Sequence, residues 1–251
     1  MIISKFEQSG GHWYTRDGDP AYTQTGLNGR DRPTTMRDAR KKDLVPSVTT
    51  VTGVTAKPGL NIWMQRQVLL SALTVTRNEG EDDDSYISRI IKDSQESSRS
   101  ASAEGTRIHN AIEHFYEQTS YPDAYAEHVT GATDVIKMAY GERTWIPERS
   151  FAHEMGFGGR VDLHTDGIVL DVKTKDFESE SEIVNYDENM MQLAAYRVGL
   201  GMPKAVCANV FVSRSRPGLA CIQEWTEDDM EKGWRMFCHL LSFWQLKNDH
   251  Q

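Results

Sequence analysis

Residues 168–174 read IVLDVKT, an apolar, β-branched run that has the character of a central strand yet carries one acid and one lysine. Strand side chains alternate between faces, so Asp171 and Lys173 emerge on the same side. Just upstream, residues 157–164 are rich in strand formers around a glycine pair, and Thr165-Asp166-Gly167 has turn chemistry. The two runs therefore form a hairpin, which returns Asp162 beside Asp171 and Lys173. Two carboxylates and an ammonium at the end of an apolar strand are costly to bury without a purpose. A divalent cation provides one, because carboxylate oxygens are hard ligands that suit Mg2+ or Mn2+.

The remaining chain surrounds this hairpin with ordinary globular material. At 251 residues, 38% hydrophobic and 26% charged, it is long enough for one sizeable core. No apolar run approaches a membrane span, and MIISKFEQSG lacks the basic-then-apolar layout of a secretory signal. Three widely spaced cysteines, Cys207, Cys221 and Cys238, point to a reducing, cytoplasmic compartment without a disulfide framework. They are also too few for a four-cysteine iron–sulfur cluster. The net charge of −9 is unusual for a nucleic-acid binder. Part of it is segregated in the acidic run 79–84, and phosphate binding answers to the local field rather than to the total.

In chain order, Trp13-Tyr14 and Ala21-Tyr22 flank a turn and suggest a small hairpin. Arg30, Arg32, Arg37, Arg40, Lys41 and Lys42 form a basic stretch with two readings, a solvated loop or a phosphate-contacting flap. PSVTTV is strand-like by propensity, while Ser47 after a proline is also a good helix N-cap. Helices are expected over 60–76, with Ile62, Leu69, Leu70 and Leu73 as apolar positions, and over 86–93, separated by the acidic loop 79–84. Residues 94–102 either continue the second helix or lead mobile into the next. That next helix, 104–117, has Ile108, Ile112 and Phe115 as its stripe, with His109 beside it and Glu113 one turn on. A helix over 129–140, a strand over 143–153, a polar loop over 175–187 and a helix over 189–200 follow. Strands over 205–213 and 219–225 flank the turn at Arg214 and Arg216, whose arginines either touch phosphates or, the favoured reading, are solvated. Thr226 caps a long final helix whose Met230, Trp234, Phe237, Leu241 and Trp244 recur at helical spacing.

Three phrases taken together, Gly159-Arg160-Val161-Asp162, Asp171-Val172-Lys173 and Gln192-Leu193-Ala194-Ala195-Tyr196, resemble the PD-(D/E)XK nuclease superfamily in its RecB-like exonuclease branch. Gly105-Thr106 ahead of His109 is similar to that branch's helical histidine motif. PSVTTV, with Lys57-Pro58-Gly59-Leu60 and Trp63 downstream, resembles the start of phage-type and mitochondrial genome maintenance exonucleases. The resemblance implies an α/β protein with a mixed (α+β) sheet: a restriction-endonuclease-like αβββαβ core over 141–251, a helical and loop-rich half over 1–140, and a single nuclease domain over 1–251.

It also implies a metal-dependent deoxyribonuclease that hydrolyses phosphodiester bonds from single-stranded or linear DNA ends, in replication, recombination or repair. Asp162 and Asp171 would hold Mg2+ or Mn2+, with His109 and the Val172 carbonyl completing the shell. Glu148 matches an acidic position of this branch, and Glu154 competes for that role. Lys173 would orient and help deprotonate the attacking water, and Gln192 and Tyr196 would position Lys173 or the strand. Ser47, Thr49 and Thr50 would face the nucleic acid, or serve as a plain helix cap, and Arg37, Arg40, Lys41 and Lys42 would add phosphate contacts. Expected partners are DNA and a recombinase, single-strand binding protein or helicase, with no membrane, in the host cytoplasm for a phage-encoded chain. Three other readings remain: a structure-specific endonuclease, a catalytically silent nucleic-acid-binding module on the same fold, and a metal-stabilised structural protein that would cleave no nucleic acid with Mn2+.

Overall fold

The apolar periodicities gather into one central sheet with helices on both faces. The structure is a computed structural model that describes residues 11–26 and 28–250, so the stretch MIISKFEQSG lies outside the described residues. In order come β1 (Trp13–Tyr14), β2 (Thr23–Thr25), β3 (Asp31–Pro33), α1 (Met36–Lys42), β4 (Val45–Pro46), α2 (Val48–Thr52), α3 (Pro58–Thr74), α4 (Asp83–Tyr116) and α5 (Ala126–Tyr140). Then follow β5 (Ile146–His153), β6 (Phe157–Thr165), β7 (Ile168–Lys175), α6 (Asp187–Gly199), β8 (Val206–Ser213), β9 (Ala220–Trp225) and α7 (Glu227–Asn248). The protein is mixed α/β. Its main sheet runs β5-β6-β7-β8-β9, antiparallel except for the parallel pair β7–β8, which α6 connects.

Each face of the sheet buries its own cluster. Val48 and Val51 of α2, Leu193 of α6, and Phe237 and Leu241 of α7 pack with Phe157, Val161 and Val169 on one side. Ile108 and Ile112 of α4 and Val129 and Ile136 of α5 pack with Leu163, Leu170 and Val210 on the other. Apolar burial of this kind supplies most of the driving force for such a fold, at about 25 cal/mol per Å2.

Several sequence expectations change. PSVTTV is a bridge and a short helix rather than a strand: the Ser47 side chain accepts from Thr50 N at 2.9 Å, and Val48 and Val51 are fully buried. Cap and burial override β propensity here. The basic stretch is likewise not all loop. Arg37, Arg40, Lys41 and Lys42 lie on α1, whose start is a capping box between Thr35 and Asp38. The helices expected at 86–93 and 104–117 are one helix of 34 residues, α4, capped by Asp82 within the acidic run. Ile62, Leu69 and Leu73 of α3 are 67%, 66% and 84% exposed, so the expected apolar face is not a core face.

Close approach explains one glycine. A Cβ on Gly131 of α5 would lie 2.5 Å from the Gly218 carbonyl oxygen and 2.8 Å from its carbon, both backbone atoms of the β8–β9 turn. Gly131→Ala should therefore lower stability by about 1–3 kcal/mol, the usual scale for overpacking. An unchanged urea midpoint would show that the turn yields freely.

Candidate active site

Strand register sets a polar row across the sheet. Asp171 pairs with Asn209, and Asn209 with Gln223. The β6–β7 ladder begins at Leu163↔Leu170, so its next step places Asp162 across from Asp171. The β5–β6 ladder skips one position between Pro147↔Leu163 and Arg149↔Val161, the level of Glu148 and Asp162. Glu148, Asp162, Asp171, Asn209 and Gln223 thus lie in line across five strands.

The ladder breaks at this row for a physical reason. Glu148 has φ 52, a left-handed conformation unusual for a non-glycine residue. Alternation also fails at Asp162, because Val161 and Leu163 are buried in opposite core clusters. Asp162 consequently turns toward α4, and its Oδ2 accepts the Val172 amide N–H at 2.7 Å. His109 Nε2 reaches the same oxygen at 3.2 Å and lies 4.0 Å from Glu148 Oε1. The helix can come this close because Gly105 faces Thr174, whose Oγ1 would be 2.5 Å from a Cβ there.

His109, Glu148 and Asp162 each offer a ligand atom, all within 4.8 Å of one another. They border a cavity of about 10 Å3, the size of a single small occupant. Glu148 Oε2 is held by Arg160 Nε, and Arg160 Nη2 also bonds Glu113 Oε1 at 3.0 Å. Glu148 Oε1 is buried with no hydrogen-bond partner. An orphaned carboxylate oxygen facing an imidazole and a second carboxylate fits a divalent cation.

The electrostatics agree with that fit. Burial pushes Glu148 up to about 7, and the Asp162 charge adds to it. Burial opposes charge on His109, yet Asp162, Glu148 and Asp171 raise it to about 9. Burial likewise opposes charge on Asp162, but His109, Lys173 and the Val172 amide hold its pKa below the ordinary value. A proton on His109 and a cation among the three groups are alternative ways to neutralise one site.

A second cluster adjoins the first. Asp171 is 1% exposed, and Lys173 Nζ contacts its Oδ1 at 2.9 Å and Oδ2 at 2.7 Å. Gln192 of α6 accepts from Lys173 Nζ at 3.0 Å, and its Nε2 lies 2.9 Å from both Asp171 Oδ1 and the Tyr196 hydroxyl. Asn209 donates to Asp171 Oδ2 at 2.7 Å and accepts from Trp225 Nε1 at 2.8 Å. Burial pushes Asp171 up to about 6. Lys173 is raised above its ordinary value by Asp171 and Asp162 although burial opposes it.

The sequence-derived candidates divide accordingly. Asp171, expected beside Asp162 as a cation ligand, has both oxygens engaged by Lys173, Gln192 and Asn209 and lies outside the three-residue cluster. Val172 enters through its amide, which donates to Asp162. Of the two competing glutamates, Glu148 is at the site, while Glu154 is exposed in the β5–β6 turn. Ser47 bonds the Thr49 and Thr50 hydroxyls at 3.0 and 2.8 Å and bridges to Gly158. Arg40 reaches the Asn248 carbonyl at the end of α7 and Lys42 reaches Gln24, while Arg37 and Lys41 are exposed. Asn209 and Trp225 were not foreseen, and Arg160 and Glu113, noted beside Asp162 and His109 in the sequence, had been given no role. Asn209 had a signal, an amide within the apolar run VCANVFV.

No helix among the described residues is long and apolar enough to cross a membrane. No protein-family model matches the chain, and no curated protein matches it. The crystal structure of SSO0001 aligns at 15% identity with a TM-score of 0.27, covering 72% of this chain and 86% of that one. A likeness of that size carries no argument about fold or chemistry.

Proposed function

We propose that the protein is a Mg2+- or Mn2+-dependent deoxyribonuclease with a PD-(D/E)XK core, an exonuclease acting on linear DNA ends. The observation that carries this reading is the adjacency of two unlike clusters at one strand pair. His109, Glu148 and Asp162 converge with an orphaned oxygen, and beside them Lys173 is gripped by Asp171 and Gln192. His109, Glu148 and Asp162 would hold the cation. When bound, it supplies polarisation of a phosphoryl oxygen and acidification of a water.

The side chains supply the rest. Lys173 keeps its proton, because two carboxylates hold its pKa up. Its role is therefore to orient the nucleophile by hydrogen bonding and to stabilise negative charge growing on the phosphate, rather than to accept a proton. Gln192 fixes the ammonium, and Tyr196, buried and with its hydroxyl pKa raised, anchors Gln192 as a neutral phenol. Arg160 holds the Glu148 carboxylate by one oxygen and leaves the other facing His109 and Asp162. End dependence rests on the resemblance of PSVTTV and GTRIH to exonuclease patterns.

Mn2+ titration calorimetry should show binding that Asp162→Ala abolishes and that His109→Ala weakens more than His114→Ala, whose ring bonds the Ser120 carbonyl instead. Linear single strands should be degraded with Mg2+ or Mn2+ under conditions in which closed circles survive. Rapid cutting of circles would replace the exonuclease reading with an endonuclease. Binding of DNA without cleavage of any substrate would favour the silent module.

A further inference from the structure

In front of Lys173 lies an open cleft of about 400 Å3. Ser102, Thr106 and His109 of α4 form one wall, Lys173 and Thr174 of β7 the other, and Arg214 closes its end. No carboxylate is among these lining residues, in a chain of net charge −9. The cleft opens at the C-terminal ends of the parallel strands β7 and β8, where α/β sheets commonly gather their ligands.

Arg214 is not the solvated turn residue that its sequence context suggests. Its amide donates to the Lys175 carbonyl at 2.8 Å, directly after the Lys175↔Ser213 pair. It therefore stands three rungs past Lys173↔Phe211, about 10 Å along the sheet. Its side chain is 18% exposed. Nε and Nη2 bond Asp176 Oδ1 and Oδ2 at 3.0 and 2.7 Å, and Nη1 bonds the Ala101 carbonyl at 2.7 Å. A guanidinium has five N–H donors, so two remain, one on each terminal nitrogen. The side chain is held by its neighbours and still has donors to offer. Asp176 is 64% exposed, so water screens its hold on the guanidinium.

We propose that Arg214 binds a backbone phosphate of the DNA strand next to the scissile one, so that the strand runs along the cleft from Lys173 to Arg214. This rests on the nuclease reading above. The cleft walls contribute the Ser102 and Thr174 hydroxyls, the one carboxylate that competes for Arg214 is the solvent-screened Asp176, and Arg geometry matches phosphate in a bidentate manner.

The test measures affinity for a fluorescent linear single-stranded oligonucleotide as a function of salt, without divalent cation, for the full chain. Arg214→Gln should reduce the slope of log K against log salt by about 0.7, the value for one single-strand phosphate. Arg214→Lys should keep the wild-type slope. Asp176→Asn should keep the slope and bind at least as tightly as wild type, because it removes only the carboxylate that competes for the guanidinium. With Mg2+ present, Arg214→Gln should raise KM and leave kcat near wild type. An unchanged slope in Arg214→Gln would overturn the proposal. So would an Asp176→Asn variant as weak as Arg214→Gln, since that would mark the arginine as a structural pin. If Arg214→Gln does not fold, the other two variants decide by the same criteria. If the wild type binds no DNA, the nuclease reading itself fails and takes this inference with it.

Discussion

Replacing Lys173 with alanine should slow single-turnover cleavage of a linear single-stranded oligonucleotide by ~100-fold or more, the scale of losing one preorganised donor to developing negative charge. Metal binding should persist, because Lys173 is not among His109, Glu148 and Asp162. The same substitution carries a second signature in stability. Asp171, 1% exposed, would lose its cationic partner, and leaving a buried charge unpaired costs about 3–5 kcal/mol. Its carboxyl, already pushed up to about 6 by burial, would rise further without the lysine. A carboxyl with a raised folded pKa takes up a proton that the unfolded chain does not. Destabilisation of Lys173→Ala should therefore grow as pH rises from the ordinary carboxylate range through the folded value. Thermal melts at pH 5 and pH 8 check the sign, with the larger loss expected at pH 8. Cleavage at wild-type speed would remove Lys173 from the mechanism.

Asn209→Leu should be damaging although the residue lies outside the cation cluster. The residue is 0% exposed and serves two buried partners, donating to Asp171 and accepting from the Trp225 indole. Leucine leaves the Trp225 N–H without its acceptor, at about 1–3 kcal/mol, and strips one donor from the Asp171 carboxylate, at about 1.5–3 kcal/mol for a bond to a charged group, although Lys173 still reaches the same oxygen. A loss of ~3 kcal/mol or more in urea unfolding is expected, together with slowed cleavage, because Asp171 grips Lys173 from that position. If both stability and rate stay at wild-type values, Asn209 is not holding Asp171 in place.

These two residues also show where the chain could be read and where it could not. Asp171 and Lys173 stood out because acid and lysine interrupt IVLDVKT, and strict alternation carried them to one face as observed. The hairpin, α7 and its buried Met230, Phe237, Leu241 and Trp244 were legible for the same reason, since regular periodicity survives folding. Glu148 entered only through the family resemblance, with Glu154 left open beside it, because its convergence with Asp162 depends on a row where alternation breaks and a glutamate adopts a left-handed backbone. The continuity of α4 was left open by its serine-rich middle, which weakens a helix without breaking it as proline would. PSVTTV left strand and capped helix open by composition, and its β-branched residues took the helical turn that Ser47 caps.

The unbroken length of α4 makes it a lever. Its first half runs with α3 as a hairpin, held by Tyr86 on the Val75 carbonyl and Arg89 on the Thr76 carbonyl. Its second half carries His109. The tight seat of Gly105 on Thr174 is the fulcrum between them. From Asp83 to Gly105 the long arm is about 33 Å, and from Gly105 to His109 the short arm is about 6 Å, at ~1.5 Å per residue. A rigid swing of about 5 Å at the hairpin tip would displace the imidazole by ~1 Å, a misplacement of the size that costs an enzyme about 100-fold.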